Sequence, residues 1–257
     1  MTQLSALIFD VDGTLADTER DGHRVAFNRA FTDAGLDWDW SAERYGKLLA
    51  VTGGKERIRH YLDNYNQNFQ RPDDLDGFIA GLHASKTEHY TRMLSEGLIP
   101  MRNGVKRLLQ EARDAGLRLA IATTTTPANV SALLQHSLAP DAESWFEVIA
   151  AGDIVPAKKP APDIYQWAMQ QMALSPQNCL AIEDSHNGVQ SALRADIHSI
   201  LVTTNGYTVN DDFNGATLIV DQMGGPDESF QLQSGQANGF NFVNLSLLRD
   251  LHGSIQA

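Results

Sequence analysis

The strongest constraint on the fold is a set of six short apolar runs, at 6–9, 117–122, 148–151, 180–182, 200–202 and 218–220, which polar residues barely interrupt. A strand with one face in water alternates apolar and polar residues, whereas a short unbroken run marks a strand covered on both faces. Between the runs the pattern switches to helical spacing. Val105, Leu108, Leu109 and Ala112 fall at i, i+3, i+4 and i+7, and Gly116 stands where a helix commonly stops. Strand and helix alternate from residue 100 onward, which predicts an α/β, Rossmann-like core with a parallel sheet flanked by helices. Ligands of such sheets bind beyond the carboxyl ends of the strands.

The stretch 17–97 has no strand-like run but shows helical spacing at Ile58, Tyr61, Leu62 and Tyr65. It is expected to be an inserted all-helical domain, with the polar segment 64–76, which contains Pro72, as a loop between its halves. The expected core is then 1–16 with 98–257, and the expected helical domain 17–97. The tail after Val220, rich in Gly, Gln and Asn, carries no assignable pattern.

Composition removes several function classes. A formal charge of −12 opposes nonspecific binding to nucleic acid. The one cysteine, Cys179, can form neither an intrachain disulfide nor a thiolate metal site. There is no run of eighteen apolar residues and no basic leader before an apolar stretch, so a soluble, cytoplasmic protein without membrane partners is expected, and a monomer.

Chemistry is concentrated where strands end. Asp10 and Asp12 follow the first run in Phe9-Asp10-Val11-Asp12-Gly13-Thr14-Leu15, and Glu183-Asp184 follow the fourth. If those strands are neighbours, the carboxylates converge and need a cation to stay ionised; hard oxygen ligands with room for water fit Mg²⁺. Lys159 and Thr123 also follow apolar segments, so an ammonium and a hydroxyl can approach the same spot. Such a site faces anions. A carboxylate nucleophile reaches a phosphate only where cations neutralise the repulsion, which suits Asp10, and a second acid two residues on, Asp12, can serve the leaving oxygen and then the water.

Taken in order, Asp10-Val11-Asp12-Gly13-Thr14-Leu15, Thr123, Lys159-Pro160 and Glu183-Asp184 resemble the four motifs of the haloacid dehalogenase superfamily, over roughly residues 4–222. The helical insert after the first motif resembles the cap of one subgroup. Within it, the strings at 15–24, 53–57 and 158–165 resemble CbbY-type phosphatases, which act on xylulose 1,5-bisphosphate in carbon-fixing cells. The resemblance implies that Asp10 is nucleophile and Mg²⁺ ligand, that Asp12 is the acid/base and binds the metal through its carbonyl, that Asp184 is a further ligand, and that Glu183 supports the metal through water. Thr123, Lys159 and the amide near Thr124 would hold the transferring phosphate, and Asn187 is either a phosphate-side residue or simply the start of a helix.

In the cap, Thr52-Gly53-Gly54-Lys55-Glu56-Arg57 places two cations and exposed amides where a second phosphate could be held; the alternative is a glycine stop followed by a solvated charged helix. Lys86 resembles a substrate-contacting cap lysine, with a solvated helix face as its competitor. Asp17 and His23 lie near the inter-domain crossing and could meet substrate hydroxyls. A nucleotide P-loop would need glycine at Leu49 and Ser or Thr at Glu56, and no G-x-G-x-x-G follows any strand. Trp38 and Trp40 are expected to pack rather than to bind. The expected function is a Mg²⁺-dependent phosphatase converting a small sugar bisphosphate, xylulose 1,5-bisphosphate foremost, to xylulose 5-phosphate. A sugar-phosphate mutase of the β-phosphoglucomutase type and a noncatalytic sugar-phosphate sensor are the alternatives.

Overall fold

The computed structural model describes residues 3–51 and 53–255. It divides into two compact units: one holds the residues up to Asp17 together with those from Pro100 onward, and the other spans Thr18–Ile99. The crossings therefore fall at 17/18 and 99/100, rather than at 16/17 and 97/98, and Asp17 stands at the end of the first unit's opening segment.

The first unit is built on a sheet of β1 (Ala6–Phe9), β2 (Arg118–Thr123), β3 (Val148–Ala151), β4 (Cys179–Glu183), β5 (Ile200–Thr203), β6 (Leu218–Val220) and β7 (Leu232–Gly235). Their order is β3-β2-β1-β4-β5-β6-β7. All neighbours are parallel except β7, which runs antiparallel to β6. The expectation of parallel strands holds for the six apolar runs. Strand β7 escaped the sequence reading because Leu232-Gln233-Ser234-Gly235 is exposed throughout and has no apolar pattern to show.

The second unit contains α1 (Arg24–Asp33), α2 (Ala42–Leu48), α3 (Gly54–Asn64) and α4 (Leu75–Ser95), preceded by a wide π-type turn at Thr18–His23. Ser41 and Asp74 cap α2 and α4 by accepting from Arg44 N and Gly77 N, which satisfies amide groups that have no partner in the first turn. Its core is aromatic. Trp40, fully buried, packs on Phe27, Phe31, Tyr45 and Tyr61, and Trp38 on Phe31, Phe69 and Phe78. Both tryptophans thus do what packing requires, and burying rings of this size gives so small a unit a core of its own.

Helices α5 (Val105–Asp114), α6 (Pro127–Leu133), α7 (Asp163–Gln171), α8 (His186–Arg194) and α9 (Leu245–Ile255) complete the sheet unit. Val105, Leu108, Leu109 and Ala112 of α5 are all buried, as their spacing requires. Tyr165, Ala168 and Met169 of α7 and Val189 and Ala192 of α8 pack over Ala6, Ile8, Ala120, Ala122 and Ala181. These mostly small strand residues leave room for Tyr165, which reaches the end of β4 from beneath α7. The tail after Val220 folds as β7 and α9 and docks through Arg107 of α5, which donates to Gly224 O (3.0 Å) and Val243 O (2.5 Å). No helix among the described residues is long and apolar enough to cross a membrane.

Candidate active site

Because β1 lies between β2 and β4, the residues that follow or end these three strands meet at one edge of the sheet. Asp10, whose amide donates to Ile182 O at 3.0 Å, begins the turn after β1. Thr123 ends β2, Glu183 ends β4 and Asp184 follows it. Carboxylate oxygens of Asp10, Glu183 and Asp184 lie within 4.8 Å of one another, and all three residues are buried.

Lys159 stands between two of them, donating to Asp10 Oδ1 at 2.7 Å and to Glu183 Oε1 at 2.6 Å. Its ammonium is thereby the counter-ion of two of the acids. Tyr165 Oη donates to the same Glu183 Oε1 at 2.5 Å. Asn205 Nδ2 donates to Asp184 Oδ2 at 2.7 Å. Glu183 Oε2 is buried without a hydrogen-bond partner. It rests against Gly188 in the first turn of α8, where a Cβ would overlap it.

Burial pushes the Glu183 carboxyl up to about 7, with Lys159 opposing the shift and Asp10 adding to it. Asp184 is raised by burial first, then by Asp10 and Glu183. Burial alone would lower the Lys159 ammonium, but Asp10 and Glu183 together overcome it and raise it. One ammonium among three buried carboxylates leaves an excess of negative charge that a divalent cation would relieve. The donors are all hard oxygens, and one buried oxygen has no partner, so the residues present fit a small divalent metal of the Mg²⁺ or Ca²⁺ type.

Asp12, half-buried, forms a bridge with Ala16 in the turn after Asp10. The Thr123 side chain is buried and accepts from Thr125 N at 3.3 Å. Thr124 is exposed at the strand end, and Asn187 is exposed in the first turn of α8, where Ser185 rather than Asn187 caps the helix by accepting from Gly188 N. Asp17 lies 3.4 Å from Arg102 Nε.

The second unit gathers its own polar cluster. Lys86 is buried, not on a solvated face, and its ammonium sits 2.8 Å from His23 Nδ1 and 5.1 Å from the Tyr90 ring centroid. Burial brings Lys86 down to about 8, aided by Arg57 and opposed by Glu19. His23 is lowered by burial and then by Lys86, so a neutral imidazole can accept the ammonium proton at Nδ1. Arg57 is buried too. Its guanidinium donates to Leu48 O (3.2 Å), Tyr45 Oη (2.8 Å) and Val51 O (3.4 Å), and Tyr45 in turn donates to Glu19 (2.6 Å). Lys55 and Gly53 are exposed at the start of α3, with Gly54 half-buried beside them; Thr52 lies outside the described residues.

Sequence reading missed Tyr165, Arg102, Asn205, Glu19 and Tyr45. None stands in a strand-end motif, and only Glu19, inside the 15–24 string, and Tyr165, inside the 158–165 string, carried any signal.

A model of the haloacid dehalogenase-like hydrolases matches residues 4–196. The chain is 45% identical to the plasmid-encoded protein CbbY of Cupriavidus necator, over 97% of each chain. It is 50% identical to protein CbbY of Rhodobacter capsulatus, over 83% of this chain and 91% of that one. Among solved structures, a mutant CbbY from Rhodobacter sphaeroides in complex with xylulose-(1,5)bisphosphate superposes with a TM-score of 0.69 at 42% identity, covering 88% of this chain and 98% of that one. Motif order, sheet order and relatives that span most of the chain lead to one assignment: the protein belongs to the haloacid dehalogenase-like hydrolase family, among the phosphatases similar to CbbY.

Proposed function

We propose that this protein is a Mg²⁺-dependent phosphatase that removes one phosphoryl group from a small sugar bisphosphate, xylulose 1,5-bisphosphate foremost, to give xylulose 5-phosphate. The observation that carries the reading is the Asp10, Glu183 and Asp184 cluster with Lys159 inside it. The bisphosphate held by the similar CbbY mutant supports the choice of substrate.

Asp10, Asp184 and the carbonyl of Asp12 would hold Mg²⁺, with Glu183 supporting it. When bound, the ion supplies charge neutralisation for the phosphate and for the carboxylates around it. Lys159, fixed by Asp10 and Glu183, orients the Asp10 carboxylate. An Asp10 oxygen attacks phosphorus, the bond from phosphorus to the sugar oxygen breaks, and Asp12 gives that oxygen its proton. Asp12, now a carboxylate, takes a proton from water as the water oxygen attacks the aspartyl phosphate. Inorganic phosphate leaves and Asp10 is restored.

Thr123, Thr124, Lys159 and Asn187 are assigned to the transferring phosphate. Thr52, Gly53, Gly54, Lys55 and Lys86 are assigned to the other end of the substrate, with Arg57 organising their loop and Asp17 and His23 serving its hydroxyls. The same reading takes the enzyme to be a cytoplasmic monomer.

A panel of sugar mono- and bisphosphates, assayed with Mg²⁺ for inorganic phosphate and for the sugar product, tests the proposal. Phosphate release in step with xylulose 5-phosphate is expected, and loss of activity in EDTA. An isomeric sugar phosphate without inorganic phosphate would make the protein a mutase, and binding without turnover would make it a sensor.

A further inference from the structure

Arg102 stands two residues inside the sheet unit after the second crossing, and its side chain is 10% exposed. Its guanidinium donates to the main-chain oxygens of Gly13, of Thr203 (2.9 Å), of Thr204 (2.5 Å) and of Asp221 (2.9 Å), while Nε lies 3.4 Å from Asp17 Oδ1. Its own amide donates to Leu15 O at 2.8 Å. A planar guanidinium with five N–H donors can serve this many acceptors at once; an ammonium on a single nitrogen cannot.

Three of the oxygens it gathers come from two segments that lead into the site, and the fourth, of Asp221, from the residue after β6. Gly13 follows Asp12. Thr203 and Thr204 precede Asn205, whose Nδ2 donates to Asp184 Oδ2 and whose Oδ1 accepts from Tyr207 N (2.9 Å) and Thr208 N (3.2 Å). Those two acceptor contacts leave Nδ2 pointing to the carboxylate. A Cβ on Gly13 would meet both Asp184 Oδ2 and Asn205 Nδ2, so turn, amide and carboxylate are packed together. Arg102 braces the arrangement from behind. One side chain thereby joins the loop after β1 to the residues that end and follow β5.

We propose that Arg102 is a positioning residue: by holding Gly13 against the Thr203–Thr204 loop it fixes where Asn205 aims Asp184 and where the Asp12 turn lies. The inference rests on the reading of Asp184 as a metal ligand, and groups behind a ligand commonly set its affinity by ten- to a hundredfold.

The test compares wild type with Arg102→Met, Arg102→Lys, Asn205→Ala and the double variant Arg102→Met with Asn205→Ala. Mg²⁺ affinity is measured by titration calorimetry, and kcat and KM with a small phosphate ester. Arg102→Met and Asn205→Ala should each weaken Mg²⁺ binding by about tenfold or more and lower kcat, with KM for the ester changed by less than about threefold. Arg102→Lys, with one nitrogen in place of three, should recover little of the affinity. The double variant should lose much less than the product of the two single losses, because both act on one carboxylate. Wild-type Mg²⁺ affinity in a folded Arg102→Met protein, or losses that multiply in full, would overturn the inference and leave Arg102 a brace of the fold alone. Should Arg102→Met not fold, Arg102→Lys carries the same comparison: weakened Mg²⁺ binding upholds the inference and wild-type binding overturns it. A wild-type protein that binds Mg²⁺ with this dependence on Arg102 but releases phosphate from no ester would sink the phosphatase reading and uphold the role of Arg102.

Discussion

Gly13 lies flat against the carboxylate of Asp184: its φ is +91°, and a Cβ at this position would run into Asp184 Oδ2. Conformation and space therefore demand glycine separately. The turn that carries Asp12 can approach Asp184 only because position 13 has no side chain.

Gly13→Ala is expected to damage the site more than the fold. Left-handed backbone at a residue with a Cβ costs about 1–3 kcal/mol, and the Asp184 carboxylate must move away as well. Activity should fall by at least about tenfold, the lower range for disturbing a ligand's surroundings, while the midpoint of urea unfolding drops modestly. A variant with full activity would show that Asp184 is not needed where it stands.

Asp10→Asn should abolish turnover and leave the protein folded, since the amide keeps the shape but is a poor nucleophile and a poor ligand. Asp12→Ala should retain slow turnover, reduced by about 10²- to 10⁴-fold, the usual worth of general acid/base catalysis. Steady-state phosphate release, with circular dichroism to verify folding, decides both. A loss below about tenfold for Asp12→Ala on a substrate with a poor leaving group would remove it from proton transfer.

Arg57→Ala should cost stability as well as specificity. The guanidinium is buried and its partners Leu48 O, Val51 O and Tyr45 Oη would lose their donor, a loss of about 1–3 kcal/mol for groups left buried and unpaired. Denaturant melts should show that loss, and kcat/KM for xylulose 1,5-bisphosphate should fall far more than for a small phosphate ester. Equal falls on both substrates would reduce Arg57 to a brace of the cap.

Lys86 supplies the pH dependence. Burial lowers its ammonium to about 8, so above that pH the folded protein releases a proton that an unfolded lysine keeps up to about 10.4. The unfolded chain binds the extra proton in this window, and the Lys86 contribution to stability therefore rises with pH across it. Urea midpoints of wild type should carry this rising component and those of Lys86→Met should lack it. If the ammonium also meets the substrate, kcat/KM for the bisphosphate should decline above about pH 8 while a small ester is spared. Parallel profiles for the two proteins would mean that Lys86 does not titrate there.

The buried strands and the chemistry at their ends are legible in the residue pattern alone. Six strands are legible because a strand buried on both faces must be apolar over a few consecutive residues, and α5 because its four apolar positions share one face. Asp10, Asp12, Glu183 and Asp184 are legible because each follows such a run within one to three residues, and the cap because its apolar residues keep a helical period without a strand.

Tertiary structure alone decided who meets whom. Asp10 and Lys159 are 149 positions apart and Arg102 and Thr203 are 101 apart, and no local pattern records that β1 lies between β2 and β4. Tyr165 reads as one more apolar position of α7 until the small residues beneath it let its hydroxyl reach Glu183. Arg57 and Lys86 read as surface cations until helix packing buries them, and β7 has no apolar face to betray it. Propensity and periodicity act over a single turn or strand, whereas a buried charge is placed by partners that the chain brings together only when the sheet and the helices pack.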